Sequence, residues 1–281
     1  MSDIHSINDA INKRAGRKLL PSIAVSLSLI ALIWFALAYH REIFACVVAT
    51  AVLLGIREIV RAFKVRGIYL SINALILASL ALSYATWNGG VAGLAVATAI
   101  ALPVLLIQLL TRGPEGFVAS ATATVFSVLY LPFLGGFLIL LARTSTGLER
   151  VMTFVVLVGC NDTFGYVVGV LFGKHPLVPM ISPKKSWEGL VGSLVFTVTG
   201  GILAFTYIMK MHWWIGAVVG LMIVFTATCG DLIESAMKRD LALKDMGSLL
   251  PGHGGMLDRL DSVLISAPAL WLALELVKAW L

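Results

Sequence analysis

The chain has 281 residues, of which 59% are hydrophobic and only 13% are charged, and its mean hydropathy is +0.95. A water-soluble domain carries about 25% charged residues, so this composition excludes an ordinary soluble protein and indicates an integral membrane protein. The formal net charge of +6 does not indicate a nucleic-acid partner, because the Lys and Arg residues are spread over short loops and form no continuous stripe.

Apolar segments that can cross a bilayer as helices follow one another along the chain, since about 20 apolar residues span the hydrocarbon core. The second and the eighth segments are short, and the second reaches full length only by including Arg57 or Glu58. We predict an all-α polytopic membrane protein with about nine transmembrane helices. The predicted spans are Leu19–Ala38, Ile43–Gly55, Ile68–Thr86, Val91–Leu110, Val118–Leu141, Val151–Phe172, Leu190–Met209, Trp213–Thr228 and Val263–Leu281.

The charges of the loops predict the orientation of these helices. With the N-terminus in the cytoplasm, sixteen of the 21 Lys and Arg residues face the cytoplasm, as the positive-inside rule requires. Losing any one span would scramble this asymmetry, and with nine spans the C-terminus lies on the opposite side. The cations predicted on that opposite side are Arg41, Arg143, Arg150, Lys210 and Lys278.

The predicted organisation has three parts. Residues 1–18 form a cytoplasmic N-terminal segment, for which an interfacial helix and a frayed tail are both compatible with the sequence. Residues 19–142 form an N-terminal bundle of about five helices, and residues 151–281 form a C-terminal transmembrane region. This region contains two long cytoplasmic loops, residues 173–189 and 230–262, which can meet at one site because both face the same side.

The second loop contains a polar island in an otherwise apolar sequence. From Ser235 to Asp261 it reads SAMKRDLALKDMGSLLPGHGGMLDRLD. Cations, carboxylates and a glycine-rich turn close together at a membrane surface are suited to binding phosphates with a divalent metal.

Carboxylates of this island are candidate metal ligands. Asp258 and Asp261 are three residues apart, which on a helix places both side chains on one face with Cβ atoms about 5–6 Å apart. Two converging carboxylates suit a divalent cation that also binds phosphate, and Asp231 can supply a third ligand. The alternative is a solvated helix start in which Asp258 and Asp261 pair with Arg259 or nearby lysines.

Basic residues of the island are candidate phosphate ligands. Lys238, Arg239 and Lys244 supply positive charge, and Asp245 can orient Lys244. His253 lies between glycines, which let backbone N–H groups approach an anion closely. The alternatives are that these cations only set the membrane topology and that the histidine is structural.

The first loop, Gly173–Gly189, offers a second set of candidates. Ser182, Lys184 and Lys185 lie on a proline-stiffened loop and form a plausible phosphate contact, or only a positive-inside turn. Asp162 lies near the middle of the sixth predicted span. A carboxylate inside the membrane is costly and indicates function by default, although a structural hydrogen bond to a neighbouring helix is an alternative.

These residues together resemble the signature of a known family. The pattern S-x-x-K-R-x(4)-K-D, followed by H-G-G-x-x-D-R-x-D, is similar to that of the phosphatidate cytidylyltransferase (CDP-diacylglycerol synthase) family. The resemblance continues upstream through Gly230-Asp231 with Glu234, through Ser182-Pro183-Lys184-Lys185 and to Asp162. It covers about Asn161 to Asp261, while the first four or five spans match only in hydropathy.

The resemblance implies that CTP and phosphatidate react to give CDP-diacylglycerol and pyrophosphate, with Mg²⁺, a second cation and a homodimer also implied. The implied catalytic residues are Lys238, Arg239, Lys244, Asp245, His253 and Arg259. The implied substrate-binding residues are Ser182, Lys184, Lys185 and Asp162, and the implied metal ligands are Asp231, Asp258 and Asp261.

Two other functions are compatible with parts of the sequence. One is a related enzyme that uses another lipid phosphate, and the other is a membrane transporter in which Asp162 and the loop charges line a path. A transporter more naturally has broken spans in matching halves, and no such pairing is found in the sequence. A short chain without an organelle signal is expected in a bacterial inner membrane, with the active site facing the cytoplasm.

Overall fold

A computed structural model of the protein describes residues 19–247 and 255–280. The predicted N-terminal segment 1–18 and His253 lie outside the described residues. The elements in chain order are α1 (Leu19–Tyr39), α2 (Arg41–Val65), α3 (Ile72–Leu110), α4 (Phe117–Ala142), α5 (Gly147–Phe172), β1 (Pro176–Val178), β2 (Ser182–Ser186), α6 (Trp187–Tyr207), α7 (Trp213–Asp240) and α8 (Leu257–Trp280).

The predicted all-α polytopic membrane protein is confirmed. Among the described residues, seven helices, α2 to α8, are long and apolar enough to cross a membrane, and α1 contains the shorter apolar helix Ile30–Tyr39. The only strands in the described part of the chain are β1 and β2, which form a small antiparallel hairpin. The predicted count of nine crossings stays a prediction.

Helix α3 folds back on itself at Gly90. This glycine has φ 63° and ψ −141°, which are not helical angles, and it separates two apolar arms. A straight helix of 39 residues would be about 58 Å long, yet Gln108 Nε2 at its end donates to Ser71 Oγ just before its start at 3.1 Å. The two arms are therefore antiparallel, with the reversal between the predicted third and fourth spans.

Helix α4 contains a π-helical turn over Leu129–Phe133. Pro132 lies inside this turn, where its missing N–H and its ring prevent a regular α-helical hydrogen bond. The bulge carries Tyr130, which is buried.

Close backbone packing at glycines joins the C-terminal helices. A Cβ on Gly201 of α6 or on Gly216 of α7 would overlap the backbone of the other helix. A Cβ on Gly230 of α7 would likewise overlap the carbonyl group of Asp261 in α8. Small residues permit such approaches between membrane helices, and this last contact brings the segments that carry Asp231 and Asp261 together.

The two ends of the bundle carry different cations. Arg41, at the start of α2, donates to the Thr144 carbonyl, whereas Arg66, just after α2 ends, donates to the Asp240 carbonyl. Arg150 pairs with Glu275 at 3.5 Å near the end of α8. Arg41, predicted outside, and Arg66, predicted inside, therefore lie at opposite ends of α2, while the orientation of the bundle stays a prediction.

The structure differs from the predicted loops in three places, one of which is the start of α8 at Leu257, inside the predicted loop 230–262. Residues 230–240 continue α7, because Glu234 and Lys238 form an ion pair one turn apart and Lys238 and Arg239 lie at the favourable C-terminal end of the helix. Residues 176–186 form the hairpin, in which Pro176 pairs with Ser186 and Val178 pairs with Ser182.

Candidate active site

A groove of about 540 Å³ lies between the hairpin and the end of α7. Its polar lining comes from both predicted loops, although the two loops are far apart in the sequence. The polar and charged residues that line it are Ser182, Lys184, Ser235, Lys238, Arg239 and Lys244. Five of the predicted phosphate ligands are therefore brought together in one place, and their charge favours an anion.

The cations of the groove differ in whether they have a partner in the protein. Arg239 Nε donates to the Ile181 carbonyl at 3.3 Å, which ties the end of α7 to the hairpin. Lys184 and Lys244 are exposed and have no ion-pair partner within the described parts of the chain. Their charges remain available to a ligand in the groove.

Lys185 does not line the groove with its neighbour. Successive side chains of a strand point to opposite faces, and Lys185 Nζ pairs with Asp231 Oδ2 at 2.6 Å. This ion pair joins the hairpin to α7. The structure therefore separates the roles that the sequence pattern gave jointly to Lys184 and Lys185.

Asp258 binds Lys238 and the backbone. Its Oδ1 accepts from Lys238 Nζ at 2.9 Å, while its Oδ2 accepts from the N–H groups of Gly255 at 2.7 Å and Met246 at 3.2 Å. Lys238 also pairs with Glu234. Both oxygens of Asp258 therefore accept hydrogen bonds, and its carboxylate fixes the position of a groove lysine. Its role as a metal ligand stays a prediction.

Asp261 belongs to a group of carboxylates that shares Glu234 with Asp258. It lies within electrostatic range of Asp162, Asp231 and Glu234. Asp162 reaches this group from α5, since its carboxylate accepts from Ser262 Oγ at 3.1 Å and from Asn161 Nδ2 at 2.9 Å. The polar cluster of Asp162, Asp231, Glu234 and Asp261 thus joins three helices.

This polar cluster has the donor chemistry of a cation site. Among residues 19–247 and 255–280, no three Asp, Glu, His or Cys side chains already converge as metal ligands. The buried Glu234 Oε1 nevertheless has no hydrogen-bond partner among the described residues, and the neighbouring carboxylates repel one another. Four carboxylates face only two lysines, Lys185 and Lys238, and hard oxygen donors with such an excess of negative charge fit a divalent cation.

Two further residues at the site were not predicted from the sequence. Tyr130, on the π turn of α4, has a buried hydroxyl without a hydrogen-bond partner in the described part of the chain, within electrostatic range of Asp261. Glu58, on α2, is only 5% exposed and accepts from the N–H groups of Met256 and Leu257. An acidic residue at the end of an apolar span was a signal for Glu58, whereas no pattern marked Tyr130.

The structure gives less support to the roles predicted for Asp245, Arg259 and His253. Asp245 is exposed beside Lys244, and the N–H of Arg259 donates to the Met256 carbonyl at 3.0 Å in the first turn of α8. Catalytic roles for Asp245, Arg259 and His253 stay predictions.

A helical membrane protein with a cationic groove beside a carboxylate cluster has the parts of an enzyme that transfers phosphate-bearing groups at a membrane. Residues 22–277 match the family model described as the cytidylyltransferase family. The chain belongs to this family and is a nucleotidyltransferase. The match includes the N-terminal helices, beyond the stretch from Asn161 to Asp261 that carries the motif.

Curated relatives agree with this assignment. The chain is 39% identical over 277 residues to the phosphatidate cytidylyltransferase of Mycobacterium bovis, which covers 94% of this chain and 90% of the relative. It is 39% identical over 280 residues to that of Mycobacterium leprae, with 94% and 90% covered. It is 32% identical over 215 residues to that of Staphylococcus haemolyticus, with 76% and 80% covered. The predicted family is confirmed.

Proposed function

We propose that the chain is a phosphatidate cytidylyltransferase, which transfers CMP from CTP to phosphatidate and gives CDP-diacylglycerol and pyrophosphate. The observation that carries this proposal is the groove beside the polar cluster, in which one serine and four cations face one space. These residues are Ser182, Lys184, Lys238, Arg239 and Lys244. The relatives named above supply the choice of CTP and phosphatidate.

The chemistry requires positioning and charge neutralisation more than a base. The phosphate of phosphatidate is already an anion at neutral pH, and one of its oxygens attacks the α-phosphorus of CTP. The bond from that phosphorus to the bridging oxygen of the β-phosphate breaks, and pyrophosphate leaves with the electron pair. Lys238, held by Glu234 and Asp258, and Arg239 offset the negative charge that develops on the attacking and leaving oxygens.

We propose that Asp231 and Asp261 hold a Mg²⁺ ion, with Asp162 and Glu234 beside them. When bound, this ion supplies positive charge to the triphosphate and to the departing pyrophosphate. Lys185 fixes the position of Asp231 through their ion pair, and Asp258 acts through Lys238. A second cation and a homodimer rest on the family resemblance alone.

The same proposal includes a topology. Nine crossings follow if α1 and each arm of α3 cross the membrane, which the reversal at Gly90 supports. The N-terminus and the groove then face the cytoplasm of a bacterial inner membrane, where CTP is present, and the C-terminus lies outside. The separation of Arg41 from Arg66 at opposite ends of α2 supports this arrangement.

The test is an assay of the purified protein with labelled CTP, Mg²⁺ and a panel of lipid phosphates. Formation of a labelled liponucleotide and pyrophosphate with phosphatidate is the expected result. Turnover only with another lipid phosphate would favour the related enzyme, and no turnover with any lipid would refute the proposal. Thiol-reactive labelling of single cysteines placed beside Lys184 and beside Lys210, in closed vesicles, tests the orientation.

A further inference from the structure

We propose that Glu58, in the N-terminal half of the chain, is a positioning residue for the reaction. It holds the first turn of α8, and with it Asp258 and Asp261, in the working arrangement. This inference rests on the proposed function, and it assigns a role in the active site to a helix outside the motif.

Glu58 caps the N-terminal end of α8. Its Oε1 accepts from the N–H of Met256 at 2.9 Å, and its Oε2 accepts from the N–H of Leu257 at 2.8 Å. The first N–H groups of a helix have no partner within the helix and form its positive end, which a carboxylate stabilises. Such caps usually come from the adjoining residues. Here the cap comes from a residue 199 positions away from Leu257.

Two glycines permit the approach of this carboxylate. A Cβ on Gly247 or on Gly255 would overlap the carboxylate of Glu58. The backbone on both sides of segment 248–254 therefore lies against the same side chain. Any larger residue at Gly255 must displace the Glu58 carboxylate, which gives an independent way to perturb it.

Glu58 and Asp258 together accept hydrogen bonds from the backbone N–H groups at the start of α8. Asp258 takes the N–H of Gly255, and Glu58 takes the next two N–H groups, so three successive amides are bound by two carboxylates. Because Asp258 also holds Lys238 at 2.9 Å, a shift of this turn is transmitted to a cation of the groove. The position of Asp261, one turn further along α8, depends on the same turn.

Apolar packing at the same place is independent of the charge of Glu58. Leu257 is fully buried, and Gly55 of α2 packs against Leu257 and against Leu131 of α4. These contacts remain when Glu58 becomes Gln. We therefore expect a change in the geometry of one turn and no loss of the fold.

The decisive variant is Glu58→Gln in the full-length protein. A carboxamide has one acceptor oxygen, and its NH₂ group faces one of the two N–H donors. We expect kcat/KM for CTP to fall roughly tenfold, the scale of one lost cap interaction. We also expect amide hydrogen exchange to become faster in peptides covering 255–262 and to stay unchanged elsewhere. Glu58→Asp keeps the charge and should recover part of the activity.

Matched controls exist for both perturbations. Glu42 lies on the same helix with a side chain that is 65% exposed, so Glu42→Gln should change neither activity nor exchange. Gly255→Ala should reproduce the effect of Glu58→Gln, whereas Gly159→Ala, with open space around the added Cβ, should not.

Three outcomes would overturn the inference. The first is Glu58→Gln with the kcat/KM of the unaltered protein. The second is lost activity together with faster exchange in all helices and a lower melting temperature, which would show a purely structural role. The third is Glu58→Asp with no more activity than Glu58→Gln. If the unaltered protein has no CTP turnover, the proposed function fails instead, and the exchange measurement still reports whether Glu58 holds the turn.

Discussion

Substituting Asp258 by Asn, and Asp261 by Asn in parallel, should distinguish the roles of the two carboxylates of the D-R-L-D motif. Asp258 binds Lys238 and two backbone N–H groups, whereas Asp261 belongs to the polar cluster. The two residues are one helical turn apart, and a simple metal-ligand pair would respond alike to both substitutions. We expect Asp258→Asn to impair catalysis without changing the Mg²⁺ requirement, and Asp261→Asn to raise that requirement strongly.

The size of the effect follows from the contacts that are lost. The side chains of Lys238 and Asp258 are 20% and 10% exposed, so their pair is largely shielded from water. A hydrogen bond to a charged group contributes about 1.5–3 kcal/mol, and each 1.4 kcal/mol corresponds to about tenfold. Because Lys238 keeps Glu234 as a partner, we expect kcat to fall by roughly 10- to 100-fold.

The assay is CTP-dependent formation of labelled liponucleotide across a Mg²⁺ titration, in detergent micelles containing phosphatidate. Melting temperatures and size-exclusion profiles of both variants establish that they remain folded. Asp258→Asn with a near-normal kcat at saturating Mg²⁺, and with half-maximal activity shifted to much higher Mg²⁺, would refute the reasoning. That result would make Asp258 a metal ligand, as the motif alone suggests.

Further substitutions test other parts of the site. Tyr130→Phe removes a buried hydroxyl that has no hydrogen-bond partner in the described part of the chain, so the melting temperature should not fall. If that hydroxyl faces the ion, the Mg²⁺ requirement should rise several-fold, and an unchanged Mg²⁺ titration would exclude this role. Gly230→Ala forces α7 away from the Asp261 carbonyl, so the free energy of unfolding should fall by about 1–3 kcal/mol and the activity should fall as well. A stable, fully active variant would contradict the close packing. The double variant Lys184→Gln/Lys244→Gln should raise KM for CTP or phosphatidate about tenfold with little change in melting temperature, because both side chains are exposed; equal KM values would show that these cations only set the topology.

Much of the fold could be predicted because its cause is local. Apolar length and loop charge give the spans, and the predicted break between Thr86 and Val91 is where the chain reverses at Gly90. The extension of α7 to Asp240 was missed, because polarity marks the end of the membrane and not the end of a helix. The spacing of Glu234 and Lys238 was the available signal for that extension.

The parts of the site that could not be predicted depend on contacts between distant segments. The motif gave the lining of the groove, but it could not show that Lys184 and Lys185 point to opposite sides of a strand. Nor could it show that Asp258 binds Lys238 and backbone N–H groups while Asp261 lies among other carboxylates. Glu58 and Tyr130 meet the site only through tertiary packing, because they lie on helices far from the motif in the sequence.

The length of α7 has a consequence for how the two substrates meet. Exposed Trp213 and Trp214 at its start are typical of one membrane interface, and a rise of 1.5 Å per residue puts Asp231 about 27 Å further along the axis, at the opposite interface. Lys238 and Arg239 then stand about 10 Å beyond it, at the depth of the lipid headgroups and the adjoining water. A lipid can therefore present its phosphate with its acyl chains still in the leaflet, and a nucleotide can reach that phosphate without leaving the aqueous phase.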